Sequence, residues 1–137
     1  MSTVREILYD ILTADAQSAE VGSLGVLLGH AATEPYGIYL QHPPEKTVLP
    51  VLTYFVNASS QFFPRRIAFN LSAWGGKYDA IQERVYTLLH DKTAAFNAAT
   101  DFDVKAVKWD WSAGDRWQEN FKAYMRQDRF IITGIKL

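Results

Sequence analysis

Residues 37–89 read GIYLQHPPEKTVLPVLTYFVNASSQFFPRRIAFNLSAWGGKYDAIQERVYTLL, in the order strand, proline-rich loop, strand, aromatic turn, strand, double glycine and helix. Prolines flank the first loop and end strand pairing there, because proline has no backbone N–H. Arg65–Trp74 alternates apolar and polar residues, which predicts a strand with one buried face and one solvated face. No catalytic spacing occurs within these elements, so they predict a small α+β protein that acts through its surfaces.

The flanking elements follow from the same kind of pattern. Ile38–Gln41 and Val51–Ser59 are β-prone runs that predict the first two strands. Gly75-Gly76 ends the third strand and allows a tight turn. Apolar residues then recur at helical spacing from Tyr78 to Leu89, which predicts a helix that continues through His90.

The N-terminal segment predicts a second main helix. Thr3 and Glu6 have the spacing of a capping box, and apolar residues follow at helical spacing to Leu12. Residues 13–19 either continue this helix or begin a short new one with Asp15 as its cap. The glycine-rich segment after them has no clear apolar period, and we expect it to be a loop.

The C-terminal part predicts the rest of the sheet. Val104–Trp111 alternates as a fourth strand, which would place Trp109 and Trp111 on one face as packing residues. Ser112–Asn120 is expected to be a connection, and Phe121–Ile135 a last strand that bends near Gln127-Asp128. The prediction is one α+β domain, residues 1–137, with a mainly antiparallel four- to five-stranded sheet and two main helices packed on one face.

Composition narrows the classes of function. The 137 residues include no cysteine and carry a net charge of −1. A disulfide framework and a thiolate metal site are therefore excluded, and a reducing compartment is expected. The balanced charge does not predict tight nonspecific nucleic-acid binding. We expect no membrane partner either, because the chain has no signal-peptide pattern and no apolar run of bilayer length.

The sequence contains few residues in patterns that indicate catalysis or metal binding. His30, His42 and His90 lack a metal-ligand spacing, and no nucleophile, phosphate-loop or dinucleotide motif occurs. His42 is interpreted as a loop residue and His90 as a helix-end cation. We expect no cofactor, no metal and no enzymatic activity. A small metal-assisted hydrolase that uses His42 or His90 with a loop aspartate stays open as an alternative.

Aromatic residues mark candidate contact surfaces. Phe62-Phe63-Pro64 lies in a predicted turn, where apolar side chains are hard to bury, and exposed apolar clusters usually mark interfaces. The same two rings could instead fold back over the sheet edge. Trp117 lies next to Arg116 in a polar connection and is a second interface candidate.

Six segments together resemble one known family. They are Val4–Leu8, Ile38-Tyr39 followed by Pro43-Pro44, Pro50–Tyr54, Leu71–Trp74, Tyr78–Leu89 and Arg129–Ile132. In this order the chain resembles the tail-terminator, or tail-completion, proteins of long-tailed bacteriophages, and the resemblance extends over nearly the whole chain. These are pattern positions and not a catalytic signature.

The resemblance implies a subunit of a hexameric ring at the head-proximal end of the phage tail tube. Its expected partners are copies of itself, the tail tube protein and a head-completion or connector protein, with DNA only in passage. The expected location is the virion, after assembly in the host cytoplasm. Ring contacts would come from the sheet edges, the Pro43–Pro50 loop, which includes Pro44, and the Phe62–Arg65 turn. A head-completion or stopper protein, a minor tail protein of the neck, and a binding module for host or nucleic-acid targets are the alternatives.

Overall fold

The computed structural model describes residues 3–57, 65–97 and 102–136. The helices within these ranges are α1 (Val4–Ala16), α2 (Leu24–Leu28), α3 (Tyr78–Leu89) and α4 (Thr93–Phe96). The strands are β1 (Ile38–Leu40), β2 (Val51–Val56), β3 (Arg65–Trp74), β4 (Phe102–Gln118) and β5 (Ala123–Lys136). No helix in the described ranges combines the length and the apolarity that crossing a bilayer requires.

The strands form one five-stranded sheet in the order β1-β2-β3-β5-β4. β1 runs parallel to β2, and every other neighbouring pair is antiparallel. In the central register Trp74 lies opposite both Val51 and Met125. The predicted α+β class with a mainly antiparallel sheet is confirmed.

The main core lies between the helices and one face of the sheet. The rings of Phe69 and Phe130, on neighbouring strands, stack with centroids 5.3 Å apart, and Phe96 of α4 packs against Phe69 at 6.1 Å. Leu8 of α1 and Ile81 of α3 are fully buried in the same cluster. Both predicted main helices therefore cover one sheet face.

The N-terminal region corrects the expected loop. α1 is continuous to Ala16, and Thr3 caps it by accepting the Glu6 N–H. The glycine-rich segment contains the short helix α2, whose Leu24 and Leu28 are buried in the core. Gly25 of this helix lies against the end of α1 and the residues that follow it: a Cβ at this position would be 2.9 Å from the Ala16 carbonyl oxygen and only 2.0 Å from that of Ser18. The prediction failed because the apolar residues of a five-residue helix are too few to show a period.

The second face of the sheet is only partly solvated. Ser72, on the predicted wet face of β3, is buried, and so is Trp74, which the alternation places on the same face. Trp74 forms a small second cluster with Val51 and Met125, against which Phe121 packs. The prediction of a wholly wet face is therefore wrong at this end of the strand.

β4 also differs from its prediction. It continues through the expected connection to Gln118, and the register of its pairing with β5 shifts at three places. Each shift breaks the alternation of faces, so Val104 and Val107 are both buried. Trp109 lies opposite Phe130 and Trp111 opposite Arg129, which are successive residues, so the two tryptophans face different sides of the sheet. Their predicted shared face is wrong.

Candidate interface at the β4–β5 hairpin

The end of the β4–β5 hairpin presents two exposed aromatic side chains. Trp117 and Tyr124 are direct partners in the register and are 49% and 50% exposed. Their rings meet edge to face, with centroids 5.0 Å apart. We call residues 116–124 the hairpin tip. Exposed paired aromatics of this kind are enriched at protein–protein contacts.

Polar groups of the tip surround this aromatic pair. The Trp117 indole N–H donates to a Glu119 carboxylate oxygen at 2.7 Å, which holds the ring in place. Arg116 and Lys122 are exposed, and neither forms an ion pair with another described residue. The tip thus carries the aromatic pair on one side of the hairpin and Arg116 on the other, with Lys122 beside the turn.

The tip is anchored to the start of α3. The Arg126 guanidinium donates to Asp115 and to Asp79, each at 2.5 Å, and lies 5.0 Å from the centroid of the Tyr78 ring. Its hydrogen bonds to Asp115 and then to Asp79 raise the pKa of Arg126 above its ordinary value. The Tyr78 hydroxyl donates to the Tyr124 carbonyl oxygen at 3.0 Å. These bonds order the surface before any partner arrives, which reduces the entropy lost on binding.

A groove of about 360 Å³ crosses the sheet face opposite the helices. Its lining is mostly uncharged and polar, and includes Thr53, Asn70, Gln118 and Gln127. Arg116 lies at this groove, while Trp117 points to the other side of the hairpin. The Oδ1 atom of Asn70 is buried without a hydrogen-bond partner among the described residues.

Part of the outer edge of β4 is covered by the end of α3. The Trp109 N–H donates to His90 Nδ1 at 3.0 Å, and the Asp91 N–H donates to the Val107 carbonyl oxygen at 2.9 Å. His90 also stacks on Tyr86, with ring centroids 4.4 Å apart. His90 was expected at the helix end and lies there, but it acts as an acceptor for the strand.

The three histidines have separate structural contacts. His30 Nε2 lies 3.1 Å from the Pro50 carbonyl oxygen, and His42 stacks on Phe121 at 5.9 Å between ring centroids. His90 Nε2 lies 3.3 Å from an Asp91 carboxylate oxygen. Within the described ranges, no three His, Cys, Asp or Glu side chains come together in a way that could hold a metal ion.

The predicted contact residues are distributed unevenly. Arg116 and Trp117 lie together at the tip, and the loop after β1 reaches the same region through the stacking of His42 on Phe121. Pro44 is exposed, whereas Pro43 is buried and its side chain offers little surface to a partner.

The other predicted contact residues belong to the aromatic turn. Arg65 begins β3 opposite Gly134. Phe62, Phe63 and Pro64 lie outside the described residues. An interface role for all these positions stays a prediction.

Sequence reasoning missed Tyr124, the partner of Trp117. The sequence predicts a connection over residues 112–120, and a connection defines no register between two strands. A usable signal was present: the aromatic residues Trp117 and Tyr124 lie on either side of the polar Glu119-Asn120 pair, and such polar pairs between β-prone runs are typical of a hairpin turn.

The structure thus defines an α+β protein with an ordered, exposed surface at the hairpin tip that contains aromatic and cationic side chains. No protein-family model and no curated protein matches the chain. Among solved structures it is similar to a chain in the "Virion of native gene transfer agent (GTA) particle", with a TM-score of 0.55 and 12% sequence identity. The match covers 98% of this chain and 98% of that chain. At this identity it shows that the two chains share a fold over nearly their full lengths.

Proposed function

We propose that this protein is a structural component of a phage-like virion and, more narrowly, a tail terminator. In this role it forms a ring on the head-proximal end of the tail tube, ends tube polymerisation and presents the docking surface for the head connector. The observation that carries the proposal is the fold shared over 98% of both chains with a virion component. The order of the sequence segments that resemble tail terminators supports the narrower role.

The contact surface supports a function by association. Trp117 and Tyr124 expose about half of their surface, yet hydrogen bonds and ion pairs hold the strands beneath them. A subunit that must dock repeatedly gains from such an ordered surface, because less conformational freedom is lost at each contact. On this proposal the protein makes and breaks no covalent bond.

The proposed assembly is a hexameric ring of identical subunits. A closed ring requires that one patch of a subunit contacts a different patch of its neighbour. The tail tube protein and a head-completion or connector protein would contact the two open ends of the ring. DNA would pass through the channel without a lasting contact.

Electron microscopy of the purified particle tests the role directly. We expect density for this chain as a ring between the tail tube and the head. Particles that lack the protein should have tails of irregular length that do not join heads. Density on the head side of the joint would instead indicate a head-completion or stopper protein, and density elsewhere would contradict the proposal.

The metal-assisted hydrolase is tested by elemental analysis of protein purified without chelator. We expect no stoichiometric zinc, manganese or iron. In the described part of the chain His90 already accepts a strand N–H at Nδ1, which leaves less of the ring for a ligand role. A stoichiometric metal lost together with a measurable hydrolytic activity in a His90→Ala variant would contradict the assembly proposal.

A further inference from the structure

The charges of this chain are divided unevenly along the sequence. Residues 1–50 contain six Asp and Glu but only two Lys and Arg, whereas residues 102–136 contain seven Lys and Arg against five Asp and Glu. The first part forms α1, α2 and β1, and the second part forms the β4–β5 hairpin. In the sheet, β3 separates β2 from the hairpin strands. The N-terminal part of the chain is therefore net acidic, and the hairpin is net basic.

The negative charge is concentrated around Tyr9 on α1. Glu6, Asp10 and Glu34 are exposed there, and we call these three carboxylates with Tyr9 the acidic surface. Burial and then the charge of Glu34 raise the pKa of the Tyr9 hydroxyl, with smaller contributions that include Asp10. Arg5 lies in the same surface, so three carboxylates there face one positive charge.

The acidic surface is also concave. A depression of about 220 Å³ lies between α1 and β2 and is lined by Arg5, Glu6, Tyr9, Asp10 and Tyr54. A tyrosine floor with a carboxylate rim suits an aromatic side chain flanked by cations. Such an anchor in a pocket is the arrangement that carries most of the energy at protein interfaces.

The hairpin tip has the complementary chemistry. Trp117 and Tyr124 supply the exposed aromatic anchor, and Arg116 and Lys122 supply cations without an ion-pair partner among the described residues. Asp115, next to the tip, pairs with Arg126, while Glu119 keeps its negative charge because the Trp117 indole that donates to it is neutral. Residues 116–124 therefore carry two positive charges, on Arg116 and Lys122, against one negative charge on Glu119.

We propose that the hairpin tip of one copy docks onto the acidic surface of a second copy. The occupant is a second copy because both complementary surfaces belong to the same chain. Since the two patches differ, the contact is head-to-tail, and each bound copy leaves one surface free for the next. This inference deepens the proposed ring, because it names the two surfaces in contact, but its test uses the isolated protein.

Cysteine cross-linking provides the test, because the chain has no cysteine and each introduced thiol is unique. Asp10→Cys and Lys122→Cys variants are treated with a short bismaleimide, separately and as an equimolar mixture, at concentrations up to about 1 mM, where weak contacts are populated. We expect a dimer from the mixture with a yield on the order of tenfold above either variant alone. A chain with both substitutions should give a ladder of oligomers. Lys92→Cys, an exposed site outside both surfaces, is the control.

Charge-reversal variants test the same contact independently. Asp10→Lys/Glu34→Lys and Arg116→Glu/Lys122→Glu should each lose self-association in sedimentation experiments, because like charges then face each other. Mixing the two variants should restore it, since every contact in an alternating assembly is again between opposite charges. Glu83→Lys/Lys92→Glu is the matched control and should behave as the parent. Circular dichroism checks that each variant is folded.

Equal cross-linking in the mixture and in each single-cysteine sample would overturn the head-to-tail contact, and so would its absence at every concentration. The virion position is a separate result. If the isolated protein cross-links selectively but microscopy finds it outside the tail, the head-to-tail contact stands and the tail-terminator role is wrong. If microscopy finds a ring at the head–tail joint but the cross-link does not form, the tail-terminator role stands and the proposed contact is wrong.

Discussion

Trp74 shows how a single residue fixes the structure of the second sheet face. It is only 2% exposed, its indole N–H donates to the Thr53 hydroxyl at 2.9 Å, and Phe121 meets its ring edge-on at 5.1 Å. The contact with Phe121 ties the hairpin turn to β3. The position of the hairpin tip therefore depends on the buried hydrogen bond between Trp74 and Thr53 as well as on apolar packing.

Replacing Thr53 with valine keeps the volume but removes the acceptor of the buried Trp74 N–H. We expect a loss of about 1–3 kcal/mol in the free energy of unfolding, the usual cost of an unsatisfied buried polar group. Urea denaturation measures it. Thr33→Val, at an exposed position, is the control and should change stability by less than about 0.5 kcal/mol.

A second variant separates the hydrogen bond from packing. In Trp74→Phe the indole is absent, so the additional Thr53→Val change should cost much less than it does in the parent. Additive losses in this double-mutant cycle would show that the hydroxyl contributes through something other than Trp74.

At the scale of elements, α1, α2 and α3 meet at one carboxylate. Asp15 accepts the Leu24 N–H at 2.8 Å and the Arg84 Nε–H at 2.9 Å, and a second Arg84 nitrogen lies 2.5 Å from its other oxygen. Burial raises the pKa of Asp15, but the bonds from Arg84 and Leu24 outweigh it and leave the pKa below its ordinary value.

This lowered pKa predicts a dependence of stability on pH. The contacts of the folded state favour ionised Asp15. Its contribution to the free energy of unfolding is therefore fully present above the pKa of Asp15 in the unfolded chain, about 4, and is lost as the pH falls through the lower pKa of Asp15 in the folded protein. Asp15→Asn should lower the free energy of unfolding by about 2 kcal/mol at pH 7. The free energy of unfolding of this variant should also decrease less than that of the parent as the pH is lowered into the acid range. Urea titrations at several pH values measure both. Asp10→Asn is the exposed control, and an equal effect there would contradict the assignment to Asp15.

The contact between α1 and α2 depends on a glycine. Gly25→Ala should lower the free energy of unfolding by about 1–3 kcal/mol, because the new methyl group would overlap the Ser18 and Ala16 carbonyl oxygens. Thermal or urea unfolding measures the change. Gly114→Ala, where a Cβ would meet no atom within 4 Å, is the matched control. A neutral Gly25→Ala would show that α2 can move away from α1 at little cost.

The elements that the sequence predicted well are those with a long regular pattern. α1, α3 and β3 each contain ten or more residues with one period, and their predicted positions are confirmed, although one face of β3 is more buried than predicted. α2 has five residues, and β4 loses its period at every bulge. Arg116 and Trp117 could be selected from local composition, but Tyr124 and the acidic surface depend on register and on contacts between distant segments. Those features follow from tertiary structure and have no local pattern.

For the whole molecule, the small net charge of −1 hides a separation between an acidic N-terminal part and a basic hairpin. Such a separation favours head-to-tail contacts between copies, because groups of opposite charge then meet. Because the groups concerned are exposed, their attraction should be screened by salt, with a Debye length of about 10 Å at 0.1 M and about 3 Å at 1 M.

Self-association should therefore weaken as salt is added. Sedimentation at increasing sodium chloride should show the apparent dissociation constant rising, by about tenfold or more between 0.05 and 0.5 M if two or more exposed pairs form. Arg116→Gln/Lys122→Gln should reduce both the affinity and its salt dependence, because the screened charges are gone. A Trp117→Ala variant should instead lose affinity with the salt dependence unchanged, since it removes apolar contact and keeps the charges. If both variants altered the salt dependence equally, charge and apolar anchoring would not be separate functions of the tip, and the division of the molecule into two complementary surfaces would be wrong.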